Sequence, residues 1–133
     1  MAGETTAVAS VDPPFEGAAG LFLVPFTLAY STTQNETNDV MNAGYLPANV
    51  TVYGVIYAPT DMDTNVSPAV VHKVTIGSTD VATGLTGAQT GTKSFQPITP
   101  VTITAKTLVS VTSTTAAATA AAGTLYLSFL CQK

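Results

Sequence analysis

A chain of 133 residues, 46% hydrophobic and only 9% charged, is long enough for one domain with its own core, without disulfides or metal. The formal net charge is −4, and the four basic residues are all lysines, Lys73, Lys93, Lys106 and Lys133. Scattered lysines on an acidic chain exclude nucleic acid and anionic membranes as partners, because both need clustered cations. So little charge also leaves surface to be covered by other copies or other proteins.

Residues 1–19 combine small residues, the pair Pro13-Pro14 and no sustained period, which predicts an extended N-terminal arm outside the core. Val11, Pro13, Pro14 and Phe15 are its candidate partner-binding residues. The N-terminus has neither a basic region nor an early apolar run, so no secretion signal is expected. Residues 20–133 are expected to form the β-sandwich domain.

Gly20 to Tyr30 reads as the first strand. Phe22, Val24, Phe26, Leu28 and Tyr30 share one face with no polar exception, the period of two of a pleated ribbon. Pro25 faces the other way and suits an edge strand. Residues 31–49 read as a long polar connection holding one helical turn, capped by Asn38 and ended by Gly44. Loops of that length serve interactions. Tyr45 and Leu46 pin its far end and join the partner-binding candidates.

Val50 to Ala58 is apolar on both faces, with Val50, Val52 and Ile56 on one and Tyr53, Val55 and Tyr57 on the other. Two-sided strands lie under a cover or in a subunit interface. After the turn P-T-D-M-D-T-N, Ser67 to Gly77 places Val70, His72, Val74 and Ile76 on one face, and the two segments read as a hairpin with a long tip. Tyr53, Val55, Tyr57 and His72 are the candidate subunit interface.

Residues 77–97 are rich in Gly and Thr, with Val81 and Leu85 as short-strand contacts and Phe95 as an anchor. Val101, Ile103, Ala105, Val109 and Val111 then alternate with polar residues, Leu108 standing out of step, and Leu125, Leu127, Phe129 and Cys131 repeat the pattern after Gly123. The Ala-rich joint from Ala116 to Ala122 is too short for a stable helix in water and reads as a small-residue connection. Six to eight strands with regular turn signals predict an all-β, single-domain antiparallel sandwich.

The chemical inventory is sparse. Asp61, Asp63 and Asn65 form a D-x-D-x-N run, but the sixth and twelfth positions of a calcium loop would be Val66 and His72 instead of Gly and Glu. A turn bonding its own backbone through Asx side chains is expected in its place, and no metal or cofactor. His72 is the only histidine, so no pair of imidazoles can hold a metal or share catalysis. The serines lack a nucleophile-elbow context, and no enzymatic activity is expected. Cys131 shares a face with Leu127 and Phe129 and reads as a buried, inert thiol.

The segments A-G-Y-L-P-A-N-V-T-V-Y-G-V-I-Y, T-D-M-D-T-N-V-S-P-A-V-V-H-K-V-T-I-G and A-A-A-G-T-L-Y-L-S-F-L carry a resemblance across about residues 43–133. In this order the chain resembles the small β-sandwich virion proteins of tailed bacteriophages. The resemblance implies a jelly-roll-like fold and a non-enzymatic structural protein that decorates, or cements, the capsid in multiple copies. It implies the major capsid protein as partner, a homo-oligomer with a trimer favoured over a dimer, and a place on the capsid surface after assembly in the host cytoplasm. The alternative is a receptor- or glycan-binding module of a head fibre or tail, served by exposed tyrosines and the 31–49 loop.

Overall fold

The structure, a computed structural model, describes residues 20–133; the expected arm, with Val11, Pro13, Pro14 and Phe15, lies outside the described residues. Among the described residues eight strands follow in order: β1 (Leu21–Tyr30), β2 (Val40–Leu46), β3 (Val50–Pro59), β4 (Val71–Ile76), β5 (Thr79–Leu85), β6 (Ser94–Ile103), β7 (Thr107–Thr115) and β8 (Gly123–Gln132). A single 3-10 turn, Gly87–Gln89, lies between β5 and β6. The strands form two four-stranded antiparallel sheets, β1-β8-β3-β6 and β2-β7-β4-β5. Each successive pair from β1–β2 to β7–β8, except β4–β5, splits between the sheets, so the chain winds around the sandwich. That is the eight-stranded jelly roll.

The alternating pattern of β1 and β8 predicts their inner faces correctly. Phe22, Val24, Phe26, Leu28 and Tyr30 face inward beside Cys131, Phe129, Leu127 and Leu125, and Pro25 sits on an edge strand opposite Ser128. Val52, Val55 and Tyr57 continue this layer, and Val74, Ile76, Val109, Val111 and Leu46 close it from the second sheet. Phe26 meets Phe129 edge-on with ring centroids 5.8 Å apart, a favoured aromatic geometry.

Four expectations need correction. The 31–49 segment contains strand β2 and no helical turn. Its alternation is hidden by a bulge at Ala43, where the register against β7 shifts between Asn42 and Gly44. Strand β3 is not two-sided: a bulge at Tyr53 shifts the phase, so Val50, Val52, Val55 and Tyr57 all point into one core. Strands β3 and β4 form no hairpin, because β3 pairs with β6 and β8 while β4 pairs with β5 and β7. The alternation from Val101 to Val111 spans two strands of different sheets. The break at Thr104–Lys106 leaves the odd-numbered phase intact on both sides and so leaves no trace in the pattern.

Candidate interaction surfaces

The winding collects the four longer connections (31–39, 60–70, 86–93 and 116–122) at one end of the sandwich. The short turns 47–49, 77–78 and 104–106 collect at the other. Asp63 ties two of these connections, 60–70 and 116–122, together. Its Oδ2 accepts backbone N–H groups from Ala69 (2.7 Å), Ala118 (2.9 Å) and Val70 (3.2 Å), and its Oδ1 accepts from Thr119 (2.9 Å) and Asn65 (3.3 Å). Burial opposes the charge on this carboxylate, but the N–H groups of Ala69, Thr119, Ala118 and Val70 outweigh it and hold the carboxyl well below its usual range. Asp61 Oδ1 accepts from the Asp63 N–H (3.0 Å) and Asn65 Oδ1 from the Ser67 N–H (2.9 Å). The D-x-D-x-N run is therefore a chain of Asx turns, as expected from its sequence, with both oxygens of its central carboxylate committed to backbone donors. Sequence reasoning found the turn but missed the staple, because the Ala-rich partners give no sign of it.

His72 belongs to the core and not to a subunit interface. It is fully buried, with Nε2 2.7 Å from Asn35 Oδ1 and Nδ1 2.6 Å from the Tyr57 hydroxyl. The Asn35 oxygen can only accept, so Nε2 carries the proton and Nδ1 accepts from Tyr57. Ser113 Oγ donates to the same Asn35 oxygen at 3.0 Å. Burial pushes the imidazole down to about 4. With both nitrogens engaged and the ring sealed from solvent, His72 is no general base. Burial likewise pushes the Cys131 thiol up to about 11, which keeps it an inert thiol inside the core. Tyr30 lies beside His72, and its buried hydroxyl has no hydrogen-bond partner among the described residues.

Val55 and Tyr57 are also fully buried within one chain. Of the four proposed interface residues only Tyr53 reaches the surface, on the Tyr53 bulge. Leu46 is buried too and has no surface to offer a partner, whereas Tyr45 is 54% exposed with the Lys106 ammonium 4.9 Å above its ring. The register places Tyr45 beside Leu108, and Leu21 beside Gln132. Tyr45, Lys106 and Lys133 and the point where the described chain begins therefore share the short-turn end. Glu36, Asp39 and Asp61 sit at the opposite, loop end, together with Lys93.

The two outer faces differ. On β2-β7-β4-β5 the outward rows include Asn42, Ser110 and Thr75 beside Asp80, which pairs with Lys73 at 3.2 Å. On β1-β8-β3-β6 the register aligns Leu23, Leu130, Gly54 and Pro97 in one row and Pro25, Ser128, Ile56 and Phe95 in the next. The Phe95 ring lies across Gly54, where a methyl would collide with it. Between the edge strands β5 and β6 a recess of about 320 Å³ is lined by uncharged groups, among them Thr83, Thr86, Gln89, Thr90 and Gln96.

Against known proteins, this jelly roll is similar to a chain of the cyanophage Pam1 capsid asymmetric unit. The TM-score is 0.74 and the identity 27%, covering 91% of this chain and 91% of that one. It is also similar to a chain of the capsid of Ralstonia phage GP4, with a TM-score of 0.67 and 20% identity over 90% of this chain and 89% of that one; that second likeness carries the fold. No protein-family model and no curated protein matches the chain. Its structural neighbours are thus phage capsid chains, and the resemblance read from residues 43–133 holds at that level.

Proposed function

We propose that the protein is a non-enzymatic structural component of a tailed-phage virion that decorates and stabilises the capsid in many copies, bound to the major capsid protein. The observation that carries this reading is the likeness to the Pam1 capsid chain at 27% identity over nine-tenths of both chains. The chemistry agrees with it: the one imidazole and the one thiol are sealed in the core, and the central carboxylate of the Asx run holds the backbone. The short-turn end supplies the attachment side. Tyr45, Lys106 and Lys133 lie there, and residues 1–19 leave from there, so Val11, Pro13, Pro14 and Phe15 can reach the shell from the same end. The cations of that end suit an acidic shell surface, while the acidic loop end faces solvent.

A second reading, a glycan-binding module of a head fibre or tail, is favoured by the recess between β5 and β6. Its uncharged hydroxyl and amide lining matches sugar hydroxyls, although no aromatic ring lines it for stacking. Copy number on purified particles separates the two readings. Hundreds of copies per particle support decoration, and a dozen or fewer overturn it in favour of a fibre or tail.

A further inference from the structure

The four strands of the β1-β8-β3-β6 sheet contain no aspartate, glutamate, lysine or histidine along their length. Their outward positions gather large apolar groups that a lone chain leaves in water: Leu21 is 57% exposed, Leu23 51%, Phe95 49% and Tyr126 54%. Ile56 and Leu130 lie half-buried among them. The opposite outer face exposes Val40 and Tyr45 as well, but hydroxyls, amides and the Lys73–Asp80 pair lie between them. Contiguous apolar surface of this kind marks an association site.

The sheet edges are poor alternatives. Strand β1 carries Pro25 and β6 carries Pro97 and Pro100, which lack donors; β2 is bulged, and β5 pairs irregularly and displays Asp80. Each is a device that blocks edge-to-edge pairing. Association therefore goes through a face.

We infer that this face binds the same face of a second copy, forming a two-fold, sheet-on-sheet dimer. Charge selects that occupant. Two copies of net charge −4 repel unless they meet where neither carries charge, and an uncharged apolar face is complementary to itself. Size agrees. Four strands about 4.8 Å apart, each spanning about seven residues, give a footprint of roughly 19 by 23 Å. Two such faces bury roughly 900 Å² before side-chain relief is counted, the size of a weak, concentration-dependent interface. A flat face covered by one copy is closed to a third, so the pairing replaces the trimer expected from the sequence with a dimer.

Sedimentation equilibrium of the full chain over a concentration series tests this. The native protein shifts from monomer to dimer as concentration rises. The double variant Leu23→Asp, Tyr126→Asp buries unpaired charges and weakens the dimer by about a hundredfold or more. Both positions are half-exposed, so the melting temperature stays put; if that variant loses its far-UV circular dichroism, Tyr126→Ser takes its place. Asn42→Asp, on the other sheet, leaves the dimer intact. Mixing the Asp,Asp variant with Leu23→Lys, Tyr126→Lys restores association only if the face meets itself. A native chain that stays monomeric throughout overturns the inference, as does an oligomer that the aspartates leave intact or a mixture that fails to recover. If the monomeric outcome comes with loss of capsid binding by the Asp,Asp variant, the face belongs to the shell. Copy number is read on separate particles, so this inference and the proposed function can fail independently.

Discussion

Asp63→Ala is expected to destabilise the loop end strongly, and the nearly isosteric Asp63→Asn to destabilise it less. The carboxylate accepts five backbone N–H groups, three on Oδ2 and two on Oδ1. An amide has one oxygen and one NH2, so Asp63→Asn can keep an acceptor for the three donors of Oδ2 and turns its amino group on the other two, whereas Asp63→Ala strands all five. Ala118 and Thr119 are exposed, and water can replace their lost acceptor. Val70 is fully buried and Ala69 half-buried, where it cannot. Two stranded buried donors at about 1–3 kcal/mol each put the cost of Asp63→Ala at roughly 3–5 kcal/mol, with relief from partial rehydration, and that of Asp63→Asn lower. That is a large share of a typical stability of about 5–15 kcal/mol. Urea unfolding followed by far-UV circular dichroism at pH 7 measures it, since the chain has no tryptophan. Acid supplies an internal check. The folded carboxyl titrates below its usual range, so the unfolded chain takes up the proton first. This stabilisation is complete above the unfolded value near 3.8 and is lost as pH falls below it through the folded value; the Asn variant lacks that loss. A cost under about 1 kcal/mol for Asp63→Ala would refute the staple.

Three further outcomes follow from the core and the arm. The folded imidazole of His72 titrates at about 4 against 6.5 unfolded, so the unfolded chain binds the extra proton between those values and stability falls by about 3 kcal/mol as pH drops through that window. Urea midpoints measured across it should decline for the native chain and stay flatter for His72→Gln; equal slopes would place His72 in contact with water. Phe129→Ala removes a fully buried ring packed on Phe26 and should cost about 3–5 kcal/mol, while Ser128→Ala on the outer side costs little; reversed costs in the same unfolding assay would mean the register of β8 is off by one. A chain beginning at Ala18 should keep its melting temperature but bind undecorated capsids weakly, with Phe15→Ala giving part of that loss; undiminished decoration would move attachment to the sandwich.

Where the alternation ran unbroken, the sequence was sufficient. β1 and β8 lie in contact through ten paired positions without a bulge, and every inward residue there was legible from the period of two. The pattern failed at bulges. One extra residue at Tyr53 turned a one-sided strand into an apparently two-sided one, and this placed Val55 and Tyr57 on a subunit interface when they are core. One extra residue at Ala43 erased β2 altogether. A bulge is a local change of phase, and with a period of two a one-residue slip reassigns every side chain beyond it. His72 was legible as a residue of an apolar face from its neighbours Val70 and Val74, though it was assigned to a subunit interface and is core. Its partners Asn35 and Ser113 were not legible, since they come from 37 residues before it and from a strand of the same sheet whose start the pattern hid.

The surface that most distinguishes this chain was visible only as irregularity. Leu130 broke the polar side of β8, Leu21 and Leu23 the polar side of β1, and Ile56 fell on the wrong face of β3 once the bulge was placed. Taken strand by strand, each is an ordinary exposed apolar residue that needs no explanation. The sheet order changes that, because it sets β1, β8, β3 and β6 side by side and brings the exceptions into adjacent rows. The exceptions on the other sheet, Val40, Tyr45 and Leu108, are interrupted by Asn42, Ser110, Thr75 and the Lys73–Asp80 pair. Departures from alternation thus carry information about association in proportion to how they cluster after folding. Clustering depends on pairings between residues as far apart as Leu21 and Gln132, which no local window contains. A jelly roll makes this acute, since its winding sends nearly every sequence neighbour to the opposite sheet. The residues that build one outer face are therefore drawn from four separate stretches of the chain, and their common surface is a property of the topology.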